Sequence, residues 1–187
     1  QAKHANGTFS RTVFDTWKQL TWDENDTVLE SQWYTDRGSP KPLGPEPSNA
    51  EERAAWLAAK HANTPAQQHV DTLGRTIYTV ADNGIAGKYA TVFILDIENN
   101  LRQVKDARNN SVMQYGYNMV SQQLYQNSMD GGERLIFNDV LNKSVFSWDN
   151  RDHRIKTVYD VLHRPLQQWL KENVQDINPE KLIHFSI

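Results

Sequence analysis

Asp139-Val-Leu-Asn-Lys143 and, one repeat later, Asp160-Val-Leu-His-Arg164 form the stretch on which the fold is decided. Each opens on an aspartate, carries a turn former at its fourth position, and runs into a β-type segment, Ser144-Val-Phe-Ser-Trp148 or Pro165-Leu-Gln-Gln-Trp169. The pattern stands upstream as Asp71-Thr-Leu-Gly-Arg75, Asp96-Ile-Glu-Asn-Asn100 and Asn118-Met-Val-Ser-Gln122. Successive starts lie 25, 22, 21 and 21 residues apart. A fixed period in this range marks one supersecondary unit stacked many times. Repeats of this kind build surfaces and enclosures, which favours a scaffold over an enzyme.

A second set of turns falls near the middle of each interval: Asp82-Asn-Gly84, Asp106-Ala-Arg-Asn-Asn110, Asp130-Gly-Gly132 and Asp149-Asn-Arg-Asp-His153. Turns at this spacing separate strands of ordinary length, so each period reads as one β-hairpin plus a connection. Six residues after the turn opener come Ile77, Leu124, Val145 and Leu166, with Arg102 the exception. Just before it come Tyr117 and Tyr115, Tyr159 and Thr157, Leu95 and Phe93. Alternation at period two predicts that each set lies on one face, stacked into continuous apolar ladders. The fourth turn position is expected to have φ > 0, because Gly74 fills it in the first copy. Asn99, Asn142 and His163 suit that conformation, as do Asn109 and Asp152 in the second set, while Ser121 fits poorly.

The amino-terminal part departs from this rhythm. Thr12-Val-Phe-Asp15, Lys18-Gln-Leu-Thr-Trp22 and Thr27-Val-Leu29, with a turn at Asp23-Glu-Asn-Asp26, predict a degenerate hairpin over residues 1–29. Residues 35–50 hold Arg37-Gly-Ser-Pro-Lys-Pro-Leu-Gly-Pro-Glu-Pro47, which suits an extended surface connection. A helix follows, capped by Ser48 or Asn49, with Glu51 and Glu52 at the positive end of its dipole. Its run from Glu51 to Ala62 is rich in helix formers, and its stripe around Trp56 and Leu57 should lie against the sheet. Asn63-Thr-Pro65 ends it. The expected organisation is a degenerate hairpin at 1–29, a Pro-rich connection plus helix insertion at 30–68, and a repeat sheet at 69–187.

Composition narrows the function. The 187 residues hold 20 Lys and Arg against 23 Asp and Glu, a net charge of −3. With no basic stripe to follow a phosphate backbone, no nucleic-acid partner is expected. Cysteine is absent, which removes disulfides and thiolate metal sites. No apolar run is long enough for a membrane helix, so no membrane insertion by this segment is expected. The opening Gln1-Ala-Lys-His4 and the strand-like Leu182-Ile-His-Phe-Ser-Ile187 both read as cut points within something longer.

Tyr115-Gly-Tyr-Asn118 with Ser121-Gln122, Val158-Tyr-Asp160 with Arg164, and Asp71-Thr-Leu-Gly-Arg75 resemble the Tyr-Asp (YD) repeats of the Rhs family. Phe14-Asp-Thr-Trp17, Trp22-Asp-Glu-Asn-Asp26, the run from Ala54 to Pro65 and Ser128-Met-Asp-Gly-Gly-Glu-Arg134 resemble Rhs-type proteins that carry a Salmonella-virulence-plasmid-type domain. So do Asn138-Asp-Val140, Trp148-Asp-Asn-Arg-Asp-His153 and Asn178-Pro-Glu-Lys-Leu182. Those proteins are related to the B and C components of insecticidal toxin complexes. The resemblance covers nearly the whole chain and implies a secreted β-shell, wound from YD hairpins, that sequesters a toxic carboxy-terminal segment. On that footing the partners are the rest of the shell, its carboxy-terminal toxin cargo and other toxin-complex subunits. This chain departs from the repeat at most turn glycines and at Asn118, and it carries neither the self-cleaving core region nor a variable toxin segment.

Candidate chemistry yields to structural explanations. His61, His69 and Asp71 suggest a two-His-one-carboxylate site, but their spacing is not that of ligands on one helix face or strand. His153 and His163 sit in turns. Asp71, Asp96, Asp106, Asp139, Asp149 and Asp160 open turns, where a carboxylate accepts from the following amides. Gly84-Ile-Ala-Gly87-Lys88 is too short for a phosphate loop and continues with Tyr89, and Asp23-Glu-Asn-Asp26 lacks the rest of a calcium loop. The sequons at Asn6, Asn25, Asn109 and Asn142 matter only on a eukaryotic secretory route. The expectation is therefore a mainly β protein: stacked antiparallel hairpins in a curved sheet with one inserted helix, and no catalytic, cofactor or metal residues. The rival readings are a β-repeat module binding carbohydrate or protein, and a hydrolase with a site at the helix–sheet junction.

Overall fold

The computed structural model describes residues 2–4, 7–173 and 180–185. Asn6 of the first sequon, Asn178 and Pro179 of the family-like string, and Ser186 and Ile187 of the final run lie outside them. The chain forms two compact units, Gln1–Phe93 and Ile94–Ile187. Both are built from antiparallel strands placed in chain order.

The first unit contains β1 (Ala2–Lys3), β2 (Phe9–Phe14), β3 (Lys18–Trp22), β4 (Ala66–Val70), β5 (Thr76–Asp82) and most of β6 (Lys88–Leu95). Each strand pairs with the next one in sequence. β3 and β4 are neighbours although residues 23–65 intervene. A buried carboxylate closes that excursion. Asp26 Oδ1 accepts from the Thr64 amide and hydroxyl at 2.8 and 2.9 Å, and its backbone oxygen accepts from the Asn63 amide. Thr27, also buried, donates its hydroxyl to the Phe9 carbonyl and ties the excursion to β2.

Within the excursion lie a 3₁₀ turn at Val28–Glu30, a one-turn helix α1 (Gln32–Thr35) and a longer helix α2 (Ala50–Ala59). Asn49 caps α2 by accepting from the Glu51 amide, and Glu51 and Glu52 occupy its first turn. Two expectations are corrected here. Thr27-Val-Leu29 is not a returning strand, because Asp23 and Asp26 exchange side-chain and amide hydrogen bonds and wind the chain into the 3₁₀ turn. The buried side of α2 does not form its cluster with strands: Ala55 and Ala59 pack with Val28 and Tyr34, flanked by Leu29 and Trp33. Leu57 points outward, 42% exposed, whereas Trp56 is buried and donates its indole N–H to the Gly44 carbonyl.

The second unit begins with the last residues of β6. It continues through β7 (Leu101–Lys105), β8 (Ser111–Tyr117), β9 (Gln123–Ser128), β10 (Gly132–Asn138), β11 (Ser144–Asp149), β12 (Arg154–Tyr159), β13 (Pro165–Lys171) and β14 (Lys181–Phe185). From β7 onward every strand pairs antiparallel with its successor. Among the described residues of this unit there is no helix, and Thr157, 8% exposed, is the single buried side chain. It is one layer of hairpins with both faces half-open. Its stability must come from cross-strand neighbours, each contributing roughly 0.2–1 kcal/mol.

The apolar-ladder expectation is also corrected. Ile77, Leu124, Val145 and Leu166 are β-bulge residues, left out of the register between their neighbours' pairs. In each hairpin the residue before the turn opener pairs with the fifth after it, as in Tyr117 with Gln123. In these hairpins the next pair skips one residue, as in Gly116 with Tyr125, whereas after the Asp149 turn Trp148–Arg154 is followed directly by Ser147–Ile155. Val112 is the equivalent residue after Asp106. An extra residue on one strand bends it and raises the local twist. The paired rows mix polar and apolar side chains, for example Tyr115, Gln126, Arg134 and Asp149.

Candidate functional surface

The repeated turn is the best-defined local geometry. At 71, 96, 106, 118, 139, 149 and 160 the opener's amide donates to the carbonyl of the fifth residue, and the fourth residue's amide donates back to the opener's carbonyl. The fourth residue is left-handed in every case: Gly74 at φ 74°, Asn99 at 70°, Asn109 at 65°, Ser121 at 58°, Asn142 at 60°, Asp152 at 60° and His163 at 56°. The opener's Oδ1 gathers the inner amides. Asp160 accepts from Leu162 and Arg164, and Asp139 from Leu141 and Lys143. Asn118 does the same with Val120 and Gln122, which explains why an amide can replace the carboxylate there.

Electrostatics follow the hydrogen bonds. The fifth residue's amide is the largest influence holding the carboxyls of Asp71, Asp106, Asp139 and Asp160 below the usual range, against a smaller opposing effect of burial. At Asp96 and Asp149 burial is the largest single influence and pushes upward, but the turn amides, side-chain hydrogen bonds from Asn100 and His153 and nearby positive charge together outweigh it and leave both carboxyls lowered. Arg75 and Arg164 close their turns by donating Nε to the opener's Oδ2 at 2.7 Å. Two contacts tie one repeat to the next. His163 Nδ1 lies 3.2 Å from Asp139 Oδ2, and the Tyr159 hydroxyl donates to the Ser144 carbonyl at 2.9 Å. Tyr159 and His163 thus join adjacent hairpins, whereas Asp160 serves its own turn. Sequence reading missed this link, because Tyr precedes the opener only at Asn118 and Asp160 and the period alone does not show which neighbour its hydroxyl reaches.

Of the other candidate residues, Asp23, Asp26 and His61 line one open cavity of about 360 Å³ together with Asp82, and the rest lie apart. His69 packs edge-on against Tyr78 on the neighbouring strand, whereas the His61 carbonyl accepts from Thr64 at the exit of α2. No group of three or more His, Asp or Glu side chains among the described residues is placed to hold a metal. Gly84–Ala86 is a 3₁₀ turn, and Lys88 pairs with Asp82 at 2.8 Å. Asp23 and Asp26 spend their oxygens on local amides and on Thr64. Beside α2 lies an open groove of about 1130 Å³ with Leu43, Trp56 and Ile85 in its walls. Its ionisable lining groups are Lys41, Lys60 and His61, with no carboxylate, and Lys60 lies 3.4 Å above the Trp56 ring. The two convergent acid–base groups that a hydrolase would need are not brought together in this lining. No described helix is long and apolar enough to cross a membrane.

No protein-family model and no curated protein sequence matches the chain. Solved structures do. The structure of the Photorhabdus luminescens Tc holotoxin pore, carrying a TccC3 mutation, aligns with a TM-score of 0.71 at 19% identity, over 96% of this chain and 8% of that one. TcdB2–TccC3 aligns at 0.70 and 18% identity, over 94% of this chain and 8% of that one. The same complex without its hypervariable C-terminal region aligns at 0.70 and 20% identity, again over 94% and 8%. The chain therefore has the fold of a short stretch of these toxin-complex chains and spans 8% of their length.

Proposed function

We propose that this chain is a wall segment of an Rhs-type, YD-repeat shell that sequesters a toxin. The observation carrying this reading is the single layer of chain-ordered hairpins in the second unit, which contains no helix among its described residues. Such a layer makes poor use of its own apolar surface as a core, but it can be lengthened by adding hairpins and can separate two compartments. The likeness in fold to Tc toxin chains supports the same reading. The mechanism is passive: the wall closes a cavity, excludes proteases and keeps a cargo chain from refolding. No catalytic residue, metal or cofactor enters it. On this reading residues 1–29 are a degenerate repeat hairpin, 30–68 an inserted connection and helix, and 69–187 the repeat wall. The partners are the rest of the shell, its carboxy-terminal cargo and other toxin-complex subunits, and the site of action is extracellular.

The test is protease protection in the complete protein encoded by the parent reading frame. A cargo segment that resists protease in the intact particle, and is digested once the particle is unfolded, supports enclosure. A cargo digested at the same rate in both states overturns it.

A further inference from the structure

The two ends of the hairpins in the second unit differ in chemistry. At one end the turns at 106–110, 129–131 and 149–153 present Ala107-Arg108, Met129-Asp130 and Asn150-Arg151 at their tips, with Met129 the one large apolar side chain among them. At the other, four successive turns present Ile97-Glu98, Met119-Val120, Val140-Leu141 and Val161-Leu162. Turn tips are ordinarily polar. Here Ile97, Met119, Val140 and Val161 are 95, 96, 94 and 96% exposed, and Val120, Leu141 and Leu162 are exposed beside them. None of these side chains contributes to the turn, which is held by the opener's carboxylate or amide and by the left-handed fourth residue. Their apolar character therefore serves no purpose inside the hairpin.

We infer that this apolar rim is a self-association surface, on which a second copy of the same chain docks rim to rim. Three features select a second copy. Strands about 4.8 Å apart place successive tips roughly 10 Å apart, and a second copy carries a row of identical period whose tips can seat between those of the first. The tips hold one charged side chain, Glu98, so an antiparallel two-fold arrangement meets little repulsion. Seven exposed aliphatic side chains offer an area on the order of the roughly 800 Å² per partner that a specific interface buries. The surface is distinct from the open strand edges and does not depend on the shell reading.

The absence of native cysteine makes the test direct. Val140→Cys and Ala107→Cys each give a chain with one thiol, on the apolar and the polar rim respectively. A short bis-maleimide should crosslink the Val140→Cys chain into a dimer and leave the Ala107→Cys chain monomeric. In sedimentation velocity the unmodified chain should dimerise with rising concentration. Val140→Asp with Val161→Asp should weaken that dimer by about tenfold or more, since each places an unpaired charge in the interface. Ala107→Asp should leave it intact, and circular dichroism should show all variants folded. A chain that stays monomeric at every concentration overturns the inference. So does a dimer indifferent to the paired aspartates, which would be an association through strand edges.

Discussion

At the scale of the residue, the hairpins are held by a device readable from five letters. An opener with a side-chain oxygen, followed three places on by a residue tolerant of φ > 0, fixes the turn, and the left-handed fourth position follows directly from Gly74, Asn99 and Asn142. Ser121 adopts the same conformation at φ 58° without their aptitude for it. Ser121→Asn should therefore stabilise the protein by about 0.5–1 kcal/mol, measured by urea denaturation. The turn aspartates also set the response to acid. Their folded-state carboxyls titrate below the unfolded value, so the unfolded chain takes up protons first as pH falls. Their stabilisation is complete above the unfolded value of about 3.9 and drains as pH drops through the lower folded values. An acid titration followed by circular dichroism should show a plateau at neutral pH and a decline setting in near pH 4. Asp160→Asn, which keeps the acceptor as Asn118 does, should make that decline shallower.

Among elements, the strands, their order and α2 with its Asn49 cap were legible because periodicity and capping are local signals. The bulges were not. An apolar residue recurring six places after the opener reads as an inward-facing position, yet Leu124, Val145 and Leu166 are left outside the register, while the same five-residue turn at Asp149 is followed by unbroken pairing. The partner of α2 was also hidden, since the Asp26–Thr64 latch joins residues 38 positions apart. With α2 packed on Val28 and Tyr34, Trp56 becomes a main anchor of the excursion, its indole bonded to Gly44 and its ring beneath Lys60. Trp56→Ala should cost about 3 kcal/mol, read as a lowered denaturation midpoint. A loss within a few tenths of a kcal/mol would show the excursion to be an appendage rather than part of the first unit's core.

For the molecule as a whole, the informative quantity is how little is buried. The core lies around α2 and the 28–34 segment, and the second unit keeps both faces half-open. The repeat period announced this arrangement, but nothing local in the chain distinguishes a face left for solvent from one left for a partner. The most direct test is the electron cryomicroscopy structure of the complete parent protein. We predict that β7–β14 stand there as one stretch of a closed hairpin wall, with one face toward an enclosed cargo. A compact helical layer packed over that face, with no cavity behind it, would contradict the account.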